Sequence, residues 1–128
     1  MQIQTREARK EDAQQMLNLY NDFAREFEGP ASRDLKTYRR LLRRKERINW
    51  LAINEQRKMV GYISSRFDKR RREGYIGEIV VDPTQDFEKV AKPLVDRAYN
   101  TLVEKKSAVI AAGSLRNPRP EKIFETLG

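Results

Sequence analysis

The segment that most constrains the fold covers residues 73–104, where an apolar run, a short loop and a long amphipathic stretch follow one another. The run is rich in β-branched and aromatic residues and predicts a largely buried strand: Tyr75, Ile76, Ile79, Val80 and Val81. Pro83 ends the strand, because proline has no amide hydrogen for a sheet ladder. From Phe87 to Leu102, apolar residues recur at helical spacing, which indicates a helix with one face on a sheet. The N-terminus of such a helix is suited to bind an anion, since its first amides have no partners within the helix.

The rest of the chain predicts further elements but no second domain, since 128 residues suit a single domain over 1–128. Ser32 or Asp34 is expected to cap the second helix. The other elements follow from apolar spacing and turn residues: a strand at 3–8, a helix from 10 to the stop at Gly29 and Pro30, a helix from 35, strands at 49–54 and 59–67, a strand at 107–112 and a helix at 121–127. The predicted fold class is α/β, a mixed α+β sheet in the order β-α-α-β-β-β-α-β-α with one parallel crossover.

Two residue types are missing from the sequence, cysteine and histidine. Their absence excludes disulfides, thiolate nucleophiles, cysteine metal sites and the Ser-His and Cys-His pairs, so proton transfer has to use Glu, Asp, Tyr, Lys or ordered water. No stretch approaches the ~20 apolar residues of a membrane span, and the N-terminus is too polar for a secretory signal. We therefore expect a cytoplasmic protein with no metal site and no membrane partner.

The chain is basic, with 27 Lys and Arg against 19 Asp and Glu, a net charge of +8. This excess favours anionic partners, such as nucleic acid or a polyphosphate cofactor, without choosing among them. The basic residues concentrate at 39–47, on the outer side of the second helix, and at 69–72, in a hairpin tip. Each cluster is also what a solvated helix face or a protected sheet edge would carry. Nucleic-acid binding would require both clusters on one face, ideally with exposed aromatic rings, and the aromatics here fall mainly at apolar-stripe positions.

With this order of elements, several local motifs resemble the GNAT superfamily of acetyl-CoA-dependent N-acetyltransferases over nearly the whole chain. The opening matches I-x-x-R-x-A-x-x-x-D, the hairpin reads W-L-A-I-N…V-G-Y-I, and V-x-P precedes the expected cofactor loop. The tail at 117–128 aligns with the family pattern N-x-x-A-x-x-[LF]-Y-E-x-L-G. The resemblance implies acetyl-CoA as cosubstrate, an amine acceptor, no metal, and two further strands beyond the L-G. Because this chain ends at Gly128, we expect a shortened chain or a trimmed member of the family.

The resemblance also assigns residues to acetyl-CoA. The backbone of the strand would pair with the pantetheine arm, the loop amides and two lysines would hold the pyrophosphate, and the tail would contact the cofactor: Ile79, Val80 and Val81; Phe87, Glu88, Lys89, Val90, Ala91 and Lys92; Asn117 and Phe124. Since Pro93 fits best in a first helical turn, we expect the helix to begin near Lys89 or Val90, leaving the amides of 87–91 as donors. Plain core packing for 79–81, an ordinary strand-to-helix connection for the loop and a helix cap for Asn117 remain alternatives.

Two motifs depart from the family pattern at the cofactor. The loop written Q/R-x-x-G-x-G/A in relatives begins here with Asp86 and carries Lys89 where a glycine would let a phosphate approach. The tail tyrosine that often protonates the leaving thiolate in relatives is Phe124 here, which has no proton to give. These departures leave open a second interpretation, a catalytically inactive module that binds an anionic protein or nucleic acid through its basic surface. A homodimer also stays open.

Glu78 is the candidate general base, because relatives carry a glutamate in this strand that deprotonates the substrate amine. A base has to lie within reach of the proton, directly or through one water, and partial burial brings a carboxyl pKa towards the working pH. Strand alternation places Glu78 on the face opposite Gly77 and Ile79. The alternative is a solvent-facing glutamate that pairs with nearby basic residues. Glu73 is a weaker substitute for the same role.

Overall fold

The structure is a computed structural model that describes residues 2–27, 33–105, 107 and 109–112. A five-stranded sheet in the order β1-β2-β3-β4-β5 forms its centre. The elements follow the chain: β1 Gln4–Glu7, α1 Ala13–Phe27 after a 3-10 turn at Lys10–Asp12, α2 Leu35–Arg43, β2 Arg47–Ile53, β3 Met59–Asp68, β4 Glu73–Val81, α3 Phe87–Glu104 and β5 Val109–Ala112. This order confirms the predicted mixed sheet, while the helix predicted at 121–127, the stop at Gly29 and Pro30, and Ser32 lie outside the described residues.

The sheet is antiparallel except at one edge. β1 to β4 pair in antiparallel ladders, whereas β4 and β5 run parallel and are joined by α3, as the predicted crossover requires. The β3–β4 ladder changes register between Ile63 and Ser65, so a bulge lies at the middle of β4. None of the helices in the described part of the chain has both the length and the apolar content that a bilayer crossing requires.

Helices cover both faces of the sheet, and each face has its own apolar core. On one face α3 packs against sheet residues that include Val60, Ile63, Ile76 and Ile79. On the other face α1 and α2 pack against Leu51, Tyr62 and Val80. The alternation of Ile79 and Val80 between the two cores is the period-2 pattern of a strand buried on both sides.

The opening motif has a structural role at the start of α1. Both guanidinium nitrogens of Arg6 donate to the Asp12 carboxylate at 2.8 Å, and the Arg9 amide donates to the same carboxylate at 2.7 Å. The hydrogen bond from Arg6 is the main cause that lowers the pKa of Asp12. This bidentate pair fixes β1 to the turn from which α1 begins.

The predicted start of α3 was wrong by about one half-turn. The helix begins at Phe87, with Asp86 as its N-cap, and Pro93 lies inside it. An interior proline costs a helix about 3 kcal/mol. Six α3 side chains are buried against the sheet, namely Val90, Ala91, Leu94, Val95, Ala98 and Leu102. Because each large aliphatic side chain contributes about 1.5–3 kcal/mol on burial, packing outweighs the proline penalty.

Gly61 in β3 sets how closely α3 approaches the sheet. A β-carbon at this position would lie 2.7 Å from Val90 Cγ1 and 3.3 Å from Leu94 Cδ1, with the Val80 carbonyl oxygen 3.2 Å away on the other side. The missing side chain therefore lets the first turns of α3 lie against β3. This contact also places the β4–α3 loop over the end of the sheet.

We predict that Gly61→Ala lowers the free energy of unfolding by about 1–3 kcal/mol, the usual cost of overpacking a core. Urea unfolding measures it. Gly77→Ala is the matched comparison and should cost less, since its nearest neighbour is the Ser64 hydroxyl at 3.1 Å, a longer contact than the 2.7 Å to Val90 at Gly61. Adding Val90→Ala should recover part of the loss; strictly additive effects of the two substitutions would contradict the contact.

Candidate functional site

Glu78 lies in β4 at the bulge, on the face covered by α1 and α2. Its amide donates to the Ser64 hydroxyl at 3.1 Å, which holds this part of β4 against β3 where the register changes. The side chain is 17% exposed and points towards α2, opposite the α3 face that receives Ile79. Strand alternation predicts the face on which Glu78 lies. The hydrogen-bond partner of its carboxylate could not be predicted from the sequence.

That partner is Arg33, which precedes α2. Its guanidinium donates to Glu78 Oε2 at 2.6 Å and to the Tyr38 hydroxyl at 3.1 Å, and it stacks over the Tyr20 ring with 3.9 Å from Cζ to the centroid. Burial is the largest single effect and lowers the pKa of Arg33, but the hydrogen bond and negative charge of Glu78, together with Tyr38, outweigh it and raise the pKa above its ordinary value. Arg33 therefore stays cationic and fixes the orientation of the carboxylate. It is 45 residues from Glu78 along the chain, and no periodic pattern could have paired them.

Two tyrosines extend this polar chain into the core. The hydroxyls of Tyr38 and Tyr62 are hydrogen-bonded at 2.7 Å, and both rings are almost fully buried. Desolvation is the main cause that raises the pKa of Tyr38 to about 12. Both phenols are neutral at physiological pH, so they support Arg33 without adding charge.

The second oxygen of the Glu78 carboxylate differs from the first. Glu78 Oε1 is buried and has no hydrogen-bond partner among the residues that the structure describes. A buried carboxylate oxygen without a donor is costly, and such atoms call for an explanation such as a substrate or an ordered water. This oxygen is thus available to accept a proton from a bound group.

Glu78 stands in the wall of a cleft of about 320 Å³ between α2 and the sheet. The α2 side contributes Tyr38, Arg40 and Arg44, and the strand side contributes Arg47 and Ser64, with Arg33 at the junction. A cleft of this volume is at the lower end of the range for small-molecule sites. It can admit a side chain or a small amine to the Glu78 carboxylate.

The residues that the resemblance assigns to a pantetheine arm lie in β4, beyond the part of the strand that pairs with β5. β5 pairs with β4 only from Glu73 to Ile76, so 77–81 have no strand partner on that side within the described ranges. The side chains of Ile79, Val80 and Val81 are buried, as plain core packing required. Burial of these side chains is compatible with pairing to an extended ligand, because such pairing uses only main-chain groups.

The loop that follows β4 uses several of its own amides. The Lys89 amide donates to Asp86 Oδ1 at 3.2 Å, and the Val90 amide donates to the Asp86 carbonyl at 3.3 Å. Two of the predicted phosphate donors therefore already have partners within the protein. The side chains of Lys89 and Lys92 are exposed in the first turns of α3, whereas Val90 and Ala91 point into the core.

The remaining candidates fall elsewhere. Asn117 and Phe124 lie outside the described residues. Glu73 is at the start of β4, where its carboxylate accepts a hydrogen bond from the Tyr75 hydroxyl, and it does not line the Glu78 cleft. Within the described ranges, no group of three or more acidic side chains could hold a metal ion.

The chain matches a family model described as the acetyltransferase (GNAT) family over residues 13–128. Among curated proteins, none is similar enough in sequence to count as a match.

Solved structures with the same fold include the following three proteins of stated activity. One is a ribosomal-protein-alanine N-acetyltransferase from Brucella melitensis biovar Abortus 2308, with a TM-score of 0.81 and 17% identity, covering 100% of this chain and 92% of that one. Another is an aminoglycoside acetyltransferase from an uncultured soil metagenomic sample in complex with sisomicin, with a TM-score of 0.73, 16% identity and coverage of 97% and 84%. The third is PaiA N-acetyltransferase from Thermoplasma acidophilum in complex with coenzyme A, with a TM-score of 0.71, 14% identity and coverage of 84% and 76%. At these identities the likeness concerns the fold alone.

Tyr38 gives the site a testable pH dependence. Its pKa in the folded protein, about 12, lies above the value of about 10 in an unfolded chain. The difference stabilises the fold fully below pH ~10 and is lost as the pH rises from there towards the folded value. We predict that Tyr38→Phe removes a late step, of one phenol, from the tyrosinate absorbance titration. Tyr99→Phe removes an exposed phenol and calibrates the amplitude of one tyrosine; a late step unchanged in Tyr38→Phe would contradict the assignment.

Proposed function

The chain belongs to the acetyltransferase (GNAT) family, and from that premise we propose that it transfers the acetyl group of acetyl-CoA to a primary amine by direct attack. The observation that carries the proposal is the Glu78 carboxylate, which has one oxygen held by Arg33 and a second, buried oxygen without a donor among the described residues. This carboxylate sits in a cleft on one side of β4, and the unpaired edge of 77–81 lies on the other side. The two features would bring an amine and a thioester together at the bulge.

In this mechanism Glu78 is the general base. The amine nitrogen attacks the thioester carbonyl carbon, the carbon–sulfur bond breaks, and the proton of the nitrogen passes to Glu78 Oε1 directly or through one water. Arg33 holds Oε2, which leaves Oε1 to take the proton, and it stabilises the carboxylate when the proton has left. Phe124 has no proton to give, so the departing thiolate takes its proton from solvent.

The acetyl-CoA arm is proposed to run along the main chain of Ile79–Val81 in the manner of an added strand, with the pyrophosphate at the N-terminus of α3. There Asp86 already accepts a hydrogen bond from the Lys89 amide. This cap is exposed, and an N-cap contributes about 0.5–2 kcal/mol, so a pyrophosphate oxygen can replace it while the Asp86 side chain turns to solvent. Lys89 and Lys92 offset part of the repulsion that remains. The residues present therefore fit the ligand at a cost in affinity.

A second candidate function, a binding module without catalysis, is favoured by the same cap. If Asp86 keeps the Lys89 amide, the N-terminus of α3 is closed to a phosphate and the fold retains only its basic surface for an anionic partner. Titration calorimetry with acetyl-CoA separates the two. Saturable micromolar binding supports the enzyme. Absence of binding heat up to millimolar acetyl-CoA contradicts the enzyme and supports the binding module.

We predict that Asp86→Asn strengthens acetyl-CoA binding about two- to fivefold, the factor that corresponds to the 0.3–1 kcal/mol of one charge at a helix terminus. Asparagine caps a helix as well as aspartate does, so the melting temperature should stay nearly constant. Lys89→Glu should weaken binding. The matched control is Asp96→Asn, which removes an exposed acid farther along α3 and should leave affinity unchanged; equal effects of both aspartate substitutions would point to net charge alone.

We predict that Glu78→Gln lowers turnover by about 10²–10⁴-fold, the usual contribution of a general base. The isosteric amide oxygen can still accept from Arg33, so acetyl-CoA affinity should change little, whereas the free energy of unfolding should fall because Arg33 loses its opposite charge. The measurement is thiol release from acetyl-CoA with a panel of primary amines, beside calorimetry of the same variant. Glu73→Gln, at the far end of β4, serves as the control. Unchanged turnover in Glu78→Gln would refute its role as the base.

A further inference from the structure

The cleft around Glu78 has an unusual charge balance for a site that receives an amine. Its described lining contains four arginines, Arg33, Arg40, Arg44 and Arg47, against a single acid, Glu78. Arg33 already neutralises Glu78 at 2.6 Å. The other three guanidinium groups make no salt bridge within the part of the chain that the structure describes. The nearest acids, Asp34 and Glu46, are exposed, and Asp34 caps α2 through the Thr37 amide.

Arg47 is the arginine whose surroundings point most directly to an absent anion. Its Nε is buried without a hydrogen-bond partner among the described residues. Burial, followed by the charges of Arg66 and Arg44, lowers the pKa of Arg47, and the opposing charge of Glu46 is a smaller effect. A guanidinium that is desolvated, crowded by like charges and short of an acceptor is costly. A carboxylate or phosphate in the cleft would supply the missing acceptor and an opposite charge, which together offset the cost of burial.

The strand geometry sets how far this anion would lie from the reacting amine. Arg47 is in β2 and Glu78 in β4, with β3 between them. Two strand spacings are on the order of 10 Å, and the register adds an offset along the strands because Arg47 is level with Tyr75 rather than with Glu78. The side chains of Arg47 and Glu78 line the same cleft, so they span part of that distance. An amine at Glu78 and an anionic group at Arg47 can therefore belong to one small molecule or to the first residues of one peptide.

We propose that the acceptor is a primary amine that also carries a carboxylate or phosphate group, which Arg47 and Arg44 bind while the amine reaches Glu78. The proposal rests on the acetyl transfer inferred above and adds the class of acceptor. Such an acceptor has a charge opposite to that of an aminoglycoside, the cationic ligand class of one structural neighbour. A cationic acceptor would enter a cleft whose uncompensated charge has the same sign, and like charges disfavour such binding.

A second basic concavity lies near the hairpin tip. It has a volume of about 670 Å³ and is lined by Lys45, Lys69, Arg72 and Lys105, together with Glu46 and Phe67. The Phe67 amide donates to the Glu46 carbonyl at 2.9 Å, which joins β3 to the segment before Arg47. The two basic clusters at 39–47 and 69–72 thus both contribute to this concavity. It shares no lining residue with the Glu78 cleft, so the anionic acceptor is assigned to the cleft arginines alone.

Nucleic acid fits these observations less well than an anionic amine. Among the described residues, the exposed large apolar side chains are Tyr99 and Val103, and neither lines the Glu78 cleft or the second concavity. Base stacking on aromatic side chains supplies much of the affinity of single-strand binders. Moreover, the arginines converge on a carboxylate poised for proton transfer, which phosphate backbone binding does not need.

The experiment compares acceptors that each have one primary amine and differ in negative charge. The small pair is O-phosphoethanolamine and ethanolamine, and the peptide pair is Ala-Asp-Asp-Ala amide and Ala-Asn-Asn-Ala amide. Calorimetry gives their affinities, and thiol release from acetyl-CoA gives their turnover. We expect the anionic member of at least one pair to bind ten times more tightly or better. Preference within the small pair alone indicates a small acceptor, and preference within the peptide pair indicates an acidic N-terminus.

Three variants locate the effect. Arg47→Gln and Arg44→Gln should each lower the affinity for the preferred anionic amine at least fivefold; Arg44 is exposed, so its variant tests the site even if Arg47→Gln folds poorly. Arg39→Gln removes the same charge from an exposed position of α2 outside the cleft lining and should have no effect. Equal losses in all three variants would overturn the proposal, since net charge would then explain them.

The remaining outcomes separate this proposal from the proposed reaction. Equal binding and acetylation of both members of each pair would overturn the anionic acceptor and leave acetyl transfer standing. Charge-selective binding without thiol release would support the anion site and contradict the proposed acetyl transfer. A short single-stranded RNA that binds more tightly than either anionic amine, and with the same dependence on Arg44, would overturn the proposal in favour of nucleic acid.

Discussion

The ion pair between Arg33 and Glu78 connects the two halves of the structure. It joins the segment before α2 to the centre of β4, and the Tyr38–Tyr62 hydrogen bond supports it from the core side. With both side chains mostly buried, loss of either partner would leave a charge with little solvent. The pair therefore stabilises the α2 face only as a unit. It also decides which carboxylate oxygen is left without a donor among the described residues, so the fold and the proposed chemistry depend on the same contact.

Helix α2 shows how one short element can have two roles. Asp34 caps its first turn, and Tyr38 anchors it in the core against Tyr62 and Tyr20. The residues that follow Tyr38 carry positive charge on the sides that the core leaves free, and Arg40 and Arg44 reach the cleft. Because a nine-residue helix is marginal alone, its packing is what holds these guanidinium groups in place.

Much of the fold could be predicted from periodicity. The run ending at Val81, the apolar spacing of α3 and the alternation in the hairpin each depend on neighbours in sequence, and each element was found where they placed it. The start of α3 differs from the prediction based on Pro93. Burial of six side chains outweighs the preference of proline for the first helical turn. Packing of that kind is a tertiary effect that no single segment reveals.

The candidate site was less predictable for the same reason. Glu78 could be named from its place in a strand, and its face followed from alternation. Arg33, the buried Nε of Arg47 and the meeting of the two basic clusters all arise from contacts between distant segments. An arginine-rich helix face has the same sequence whether it faces water or a cleft. The difference is burial, which depends on how α2 docks on the sheet.

The bulge in the middle of β4 explains why a donor and an acceptor site can occupy one strand. An ideal ladder would continue the β3–β4 register through Ser64, whereas here the register changes between Ile63 and Ser65 and the Ser64 hydroxyl takes the Glu78 amide instead. A bulge increases local twist and re-aims side chains. Beyond it, β4 has no strand partner on the β5 side within the described part of the chain, while Glu78 lines the α2 cleft. The two reactants would then meet across the thickness of a single strand, so no large closure is needed to bring a nucleophile to a thioester.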